Sequence, residues 1–136
     1  MPPFTLPPQI EADSVFLRDL PLSQVRLQNQ SLVPWLILVP RRAVTELHEL
    51  SAEDRATLIE EIALTSKAVQ KIFAPDKINV AALGNIVPQL HVHVIGRFKN
   101  DPAWPQPVWG RLEPSPYAVN ALADLQKRLS NDALWR

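Results

Sequence analysis

The stretch Pro88-Gln89-Leu90-His91-Val92-His93-Val94-Ile95 decides how this chain is read. Polar and apolar residues alternate along it one by one. Side chains on a strand point to opposite faces in turn. A strand over residues 89–97 therefore sends Leu90, Val92 and Val94 to one side and Gln89, His91 and His93 to the other. Pro88 stands where such a strand can begin, because a first residue need not donate to a ladder. The expectation is a buried apolar face and, opposite it, a polar row lining a pocket. Two of the three histidines of the chain stand on that row. An imidazole titrates at about pH 6.5 and can serve as nucleophile, base or acid.

The row by itself leaves three readings open. In the first it is the solvated face of an ordinary strand. In the second His91 and His93 offer two nitrogens to one metal ion; this needs a third ligand, and no carboxylate stands at an obvious spacing. In the third one imidazole attacks a phosphate while its neighbour handles protons.

Outward from this segment, residues 14–19 and 24–29 read as two strands joined by the turn Leu20-Pro21-Leu22-Ser23. In the second, Val25 and Leu27 alternate with Arg26 and Gln28, which predicts one buried and one wet face. Asn29-Gln30-Ser31 makes a hairpin connection to residues 35–39, an apolar run closed by Pro40 whose length suits a buried strand. Residues 51–73 predict the main helix, with Ser51 as N-cap and Glu53 and Asp54 at the positive end of the dipole. Leu58, Ile59, Ile62, Val69, Ile72 and Phe73 form its apolar stripe, and Pro75 stops it. Residues 77–83 predict a fourth strand, with Ile78, Val80 and Ala82 on one face, broken by Gly84-Asn85. Ser115-Pro116 opens a second helix over residues 116–130, striped by Ala118, Leu122, Leu125 and Leu129. Proline concentrates in an N-terminal arm, residues 1–13, and in a Pro- and Trp-rich loop, residues 100–116. The order of elements, without repeat or linker, predicts a single α+β domain over residues 1–136: a five-stranded, mainly antiparallel sheet with two helices packed on it.

Composition narrows the function. A chain of 136 residues can bury one real core. Lys plus Arg and Asp plus Glu both number 14. That balance argues against a broad nucleic-acid or anionic-membrane surface. The absence of cysteine removes disulfides, thiolate nucleophiles and thiolate metal sites. The start MPPFTLPPQIEADS lacks the basic residues and apolar run of a secretory leader. No apolar stretch approaches the roughly 20 residues of a membrane helix. The expectation is a cytoplasmic protein with neither nucleic acid nor membrane as partner.

Residues 88–95 resemble the signature of the histidine triad (HIT) superfamily, in which three histidines alternate with apolar residues on a strand. Trp35-Leu36-Ile37-Leu38-Val39-Pro40 resembles that family's apolar strand ending in proline. Glu46-Leu47-His48-Glu49-Leu50-Ser51 resembles a segment of its diadenosine-polyphosphate hydrolase branch, and Gly84-Asn85 resembles its Gly-Gln. The resemblance spans residues 14–109. It implies a HIT-like fold that pairs into a homodimer with a continuous sheet. It also implies a nucleotide hydrolase or transferase acting on the α-phosphate of a nucleoside phosphate or dinucleoside polyphosphate. In that reading His91, at the middle position, attacks phosphorus and forms a nucleotidyl-histidine intermediate. His93 assists by hydrogen bonding and proton transfer to the leaving group, and Gln89 orients.

Asn29 falls near the ribose by the same reading, with a plain turn role as the alternative. Asn85 and the backbone N–H groups of Ile86 and Val87 fall near the phosphate. Trp104, in the Pro- and Trp-rich loop, stacks a base or covers the site, with plain packing as the alternative. His48 reads as a structural histidine bonding a backbone carbonyl, and Arg97 and Lys99 as a solvated strand end rather than a phosphate guide. No metal is required, and Mg²⁺ would enter only in company with a polyphosphate. Three positions depart from the pattern. Gln89 replaces a histidine and cannot titrate. Trp35 stands where many relatives carry a further histidine, and Ile86 where they carry Ser or Thr. These departures motivate a rival reading, a nucleotide-binding protein with little or no turnover.

Overall fold

The computed structural model describes residues 2–136. Five strands form one sheet: β1 (Ser14–Asp19), β2 (Ser23–Gln28), β3 (Trp35–Pro40), β4 (Lys77–Ala81) and β5 (Val92–Arg97). Their spatial order is β1-β2-β3-β5-β4, and every neighbouring pair is antiparallel. The central strands β3 and β5 are buried at every position. Strand β3 meets apolar neighbours on both faces and reads as an unbroken apolar run, whereas β5 keeps its alternation because its second face carries His93.

The two-residue period sorts these strands into two cores. Leu36, Leu38, Val92 and Val94 join Leu58 and Val69 of helix α2 (Ala52–Phe73) and Leu125 and Leu129 of helix α3 (Val119–Leu129). Trp35, Ile37, Val39 and Ile95 face the other way, into a smaller core closed by Ile10 and Val108. His91 and His93 belong to this second face. Its roof is a short helix and a loop rather than a long helix, so it leaves room for a cavity.

Helix α2 begins as expected, with the Ser51 hydroxyl accepting the Asp54 N–H at 3.0 Å. It ends on Ala74 in the left-handed region, φ 47°, whose N–H bonds the Gln70 carbonyl. The strand β5 passes close beneath it. A Cβ on Gly96 would lie 2.8 Å from Pro34 Cγ and 3.2 Å from Val69 Cγ1, so only glycine lets sheet and helix approach this far.

The structure corrects several expectations. It has three α-helices, not two: residues 8–13 of the arm form helix α1 (Pro8–Asp13), with proline where no N–H is needed and Ile10 buried. Helix α3 starts at Val119 rather than at residue 116. Residues 115–117 are instead tied to the β2–β3 connection, Ser115 O accepting from Ser31 N and Tyr117 N donating to Asn29 Oδ1 at 2.8 Å. Strand β5 starts at Val92, not Gln89, because Leu90 N–H bonds Val44 O in the chain beyond β3 and pulls residues 89–91 out of the ladder. Strand β4 ends at Ala81 instead of residue 83. Arg26, expected on a wet face, is buried; Nε bonds Ser14 Oγ at 2.7 Å and Nη2 bonds Ser14 O at 2.9 Å. Ile59, expected on the apolar stripe of α2, is exposed. Among the described residues no helix is long and apolar enough to cross a membrane.

Candidate active site

His91 is the last residue before β5, and its Nδ1 lies 2.7 Å from the carbonyl oxygen of Gln89. A carbonyl only accepts. Nδ1 therefore carries a proton and donates, and in the neutral ring the lone pair lies on Nε2. The backbone thus distinguishes the two nitrogens of the His91 ring.

His93 pairs across the ladder with Ile37, and Trp35 stands diagonally opposite on β3. The Trp35 indole donates Nε1–H to His93 Nδ1 at 2.9 Å. Burial first, then the neighbouring His91, lower the His93 pKa to about 4, so the ring is neutral at pH 7. Three rings pack edge-on around it, with centroids at 4.9 Å for His91, 5.1 Å for Trp109 and 5.6 Å for Trp35.

Both histidines line a cavity of about 480 Å³, walled by Trp35, Trp109 and the loop over residues 83–87, with Gln28 and Asp13 at its margin. Gly84, at φ 74°, makes the left-handed step into that loop. Among the described residues no protein acceptor meets the N–H groups of Ile86 or Val87. An adjoining recess of about 520 Å³ shares Trp35 and Trp109 and is lined by Asn29. A third, of about 280 Å³, lies against His91 beside Glu46 and His48. Among the described residues no three His, Asp or Glu side chains gather as a metal site.

The expected site residues divide. His91, His93, Asn85, Ile86 and Val87 are brought together around the main cavity, and Asn29 reaches only the adjoining recess. Gln89 is not on the histidine face. Its side-chain amide donates to Arg42 O at 2.9 Å, since strand alternation does not extend back to residue 89. What Gln89 supplies is its backbone carbonyl.

Trp104 is also displaced. Its ring lies 5.7 Å from the Arg97 guanidinium and lines none of these hollows, and Trp109 takes the place beside the histidines. Arg97 is neither a phosphate guide nor a solvated strand end. It is 1% exposed, holds Asp101 by two bonds of 2.8 and 3.0 Å, and reaches Asn79 Oδ1 at 3.0 Å. Burial opposes ionisation of Asp101. The bonds from Arg97 and from the N–H groups of Phe98, Ala103 and Trp104 prevail and hold its pKa at about 2. Lys99 is exposed, and its backbone N–H donates to Asp76. The His48 ring, expected to bond a backbone carbonyl, makes no hydrogen bond among the described residues and stands exposed at the mouth of its recess. The sequence pattern missed Trp109, Asp13 and Gln28. The one available signal was Asp101, whose turn ties up Trp104 and leaves Trp109 as the free indole of that loop.

Comparison with known proteins agrees with this architecture. The family described as the HIT domain matches residues 9–100. A histidine triad protein from Marinobacter aquaeolei superposes with a TM-score of 0.92 at 41% identity, covering 98% of this chain and 97% of that one. A histidine triad (HIT) protein from Sinorhizobium meliloti gives 0.89 at 44% identity, covering 93% and 94%. Among characterised sequences, the bis(5'-nucleosyl)-tetraphosphatase [asymmetrical] of Schizosaccharomyces pombe is 28% identical over 83 residues, 57% of this chain and 46% of that protein. The chain thus matches less than half the length of that relative.

Proposed function

The chain belongs to the HIT domain family, and from that premise we propose that it cleaves nucleoside phosphates or dinucleoside polyphosphates at the α-phosphorus. The observation that carries the reading is the Gln89 carbonyl, which holds the Nδ1–H of His91, so that the lone pair of the neutral ring is on Nε2 beside a cavity. In the first step Nε2 forms a bond to phosphorus and the bond to the leaving oxygen breaks. In the second, water attacks phosphorus, the P–N bond breaks, and a mononucleotide departs with His91 restored. The N–H groups of Ile86 and Val87, which meet no protein acceptor among the described residues, would bind the phosphate oxygens. His93 assists at the leaving group. Trp109 and Trp35 offer apolar wall to the nucleoside. Any Mg²⁺ would arrive with a polyphosphate substrate. The relative from S. pombe, named for a tetraphosphatase activity, supports this substrate class.

The outer edge of the sheet supports a homodimer. Strand β4 has β5 on one side only, and Val80, Leu83 and Ile86 stand exposed on it and on the loop beyond.

Incubation with diadenosine tetraphosphate and with an adenosine phosphoramidate, assayed for AMP, tests the reading. AMP released by the wild type and not by His91→Ala supports it. One observation favours a second reading: with Gln89 turned to Arg42, the first triad position places no titratable side chain at the cavity. A protein that binds these nucleotides and releases no AMP would be a nucleotide-binding module instead.

A further inference from the structure

The two histidines are held as opposite tautomers by opposite kinds of partner. A carbonyl, which only accepts, fixes the proton of His91 on Nδ1. An indole N–H, which only donates, meets His93 at Nδ1. That nitrogen must therefore present its lone pair, and the proton of the ring must sit on Nε2. Nε2 has no protein partner among the described residues and is not among the buried orphaned atoms, so it reaches the cavity that the ring lines.

We propose that Trp35 is a positioning residue that holds His93 as a fixed Nε2–H donor. His93 can then bind a departing oxyanion but cannot give it a proton, and the site is selective for leaving groups that leave as stable anions. This rests on the nucleotidyl-transfer reading and names its substrate class: phosphoric anhydrides rather than phosphoramidates.

The chemistry follows from the proton count. A neutral imidazole that surrendered Nε2–H would become an imidazolate, far too basic a product near pH 7. Only the imidazolium is a useful acid, and forming it requires a proton on Nδ1, where the indole hydrogen already points. Burial and the nearby His91 disfavour the cation further. The other titratable groups on the cavity wall are His91, committed as nucleophile, and Asp13. Gln89 supplies no proton. When the bond from phosphorus to a polyphosphate oxygen breaks, the electron pair stays on an oxygen already suited to carry it. When the bond is to an amine nitrogen, the leaving group needs a proton that His93 does not deliver.

The tautomer is read by nitrogen NMR on ¹⁵N-histidine-labelled free protein. The expected result is a neutral Nε2–H pattern for His93 from pH 7 down to pH 5, with a hydrogen-bonded, slowly exchanging Trp35 indole proton. Trp35→Phe should mix the tautomers and raise the His93 titration by about one pH unit, the worth of one hydrogen bond. In kinetics, the wild type should favour diadenosine tetraphosphate over adenosine phosphoramidate by about 10²-fold or more in kcat/KM, the low end of what a general acid supplies. Trp35→Phe should narrow that ratio below pH 6. A His93 found as Nδ1–H or as imidazolium at pH 7, or equal turnover of both compounds by the wild type, would overturn the proposal. The resonances need no substrate and no variant, so they decide the tautomer even if neither compound is cleaved, a result that would count against the nucleotidyl-transfer reading alone.

Discussion

At the scale of single residues, the site depends on groups whose protons are placed by neighbours. His93 gives this a measurable consequence for stability. Its folded pKa of about 4 lies below the ordinary 6.5. Between those values the unfolded chain takes up a proton that the folded protein refuses. The stabilisation is therefore complete above about pH 6.5 and is lost as pH falls toward 4, at most about 3 kcal/mol. Urea midpoints measured from pH 7 to pH 4 should fall across that window in the wild type and fall less in His93→Gln; parallel curves would contradict the assignment. Asp101 is the second such residue. Replacing it by Asn leaves the Arg97 charge buried without its partner and should cost about 3–5 kcal/mol. With its pKa depressed to about 2, the wild-type contribution is full above the ordinary carboxylate range and lost only as pH falls toward 2. A loss below 1 kcal/mol in Asp101→Asn would show that the pair is dispensable.

At the scale of elements, periodicity predicts well wherever tertiary contacts agree with it. Helix α2 spans Ala52–Phe73 with Ser51 as its cap, close to the expectation from capping and stripe. Its end at Phe73 also agrees with the stop expected from Pro75, but the form of its cap was not legible, because nothing in Phe73-Ala74-Pro75 announces a left-handed alanine. Ala74 is exposed, so Ala74→Gly removes Cβ strain without losing packing and should stabilise the protein by up to about 1 kcal/mol. A lower urea midpoint in that variant would refute this account of the helix end. The same logic explains the candidate site. His91 and His93 were readable because Leu90, Val92 and Val94 are demanded by the core beneath them. Gln89 was misread because the bond from Leu90 N–H to Val44 O, which ends the ladder, joins residues far apart in sequence. Trp104 and Trp109 were confused for a similar reason: a buried ion pair claims the first and the cavity receives the second, and Asp101 is the sole hint of this in the local sequence. The short helix α1 was hidden among prolines that favour loops elsewhere.

At the scale of the whole molecule, one sheet carries two cores, and the candidate site sits under the thinner one. The exposed edge at β4 predicts that the protein in solution scatters light as twice its chain mass of 15.3 kDa. A 15.3 kDa particle at micromolar concentration would remove the dimer. The central claim is that His91 forms a bond to phosphorus, and one measurement addresses it most directly. Wild type and His91→Ala are mixed with diadenosine tetraphosphate, acid-quenched during turnover, and weighed intact by mass spectrometry. The account predicts a single AMP adduct on the wild type, mapped to His91, with both adduct and AMP release gone in His91→Ala and turnover lower by several orders of magnitude. AMP release at the same rate by both proteins, with no adduct on either, would contradict it.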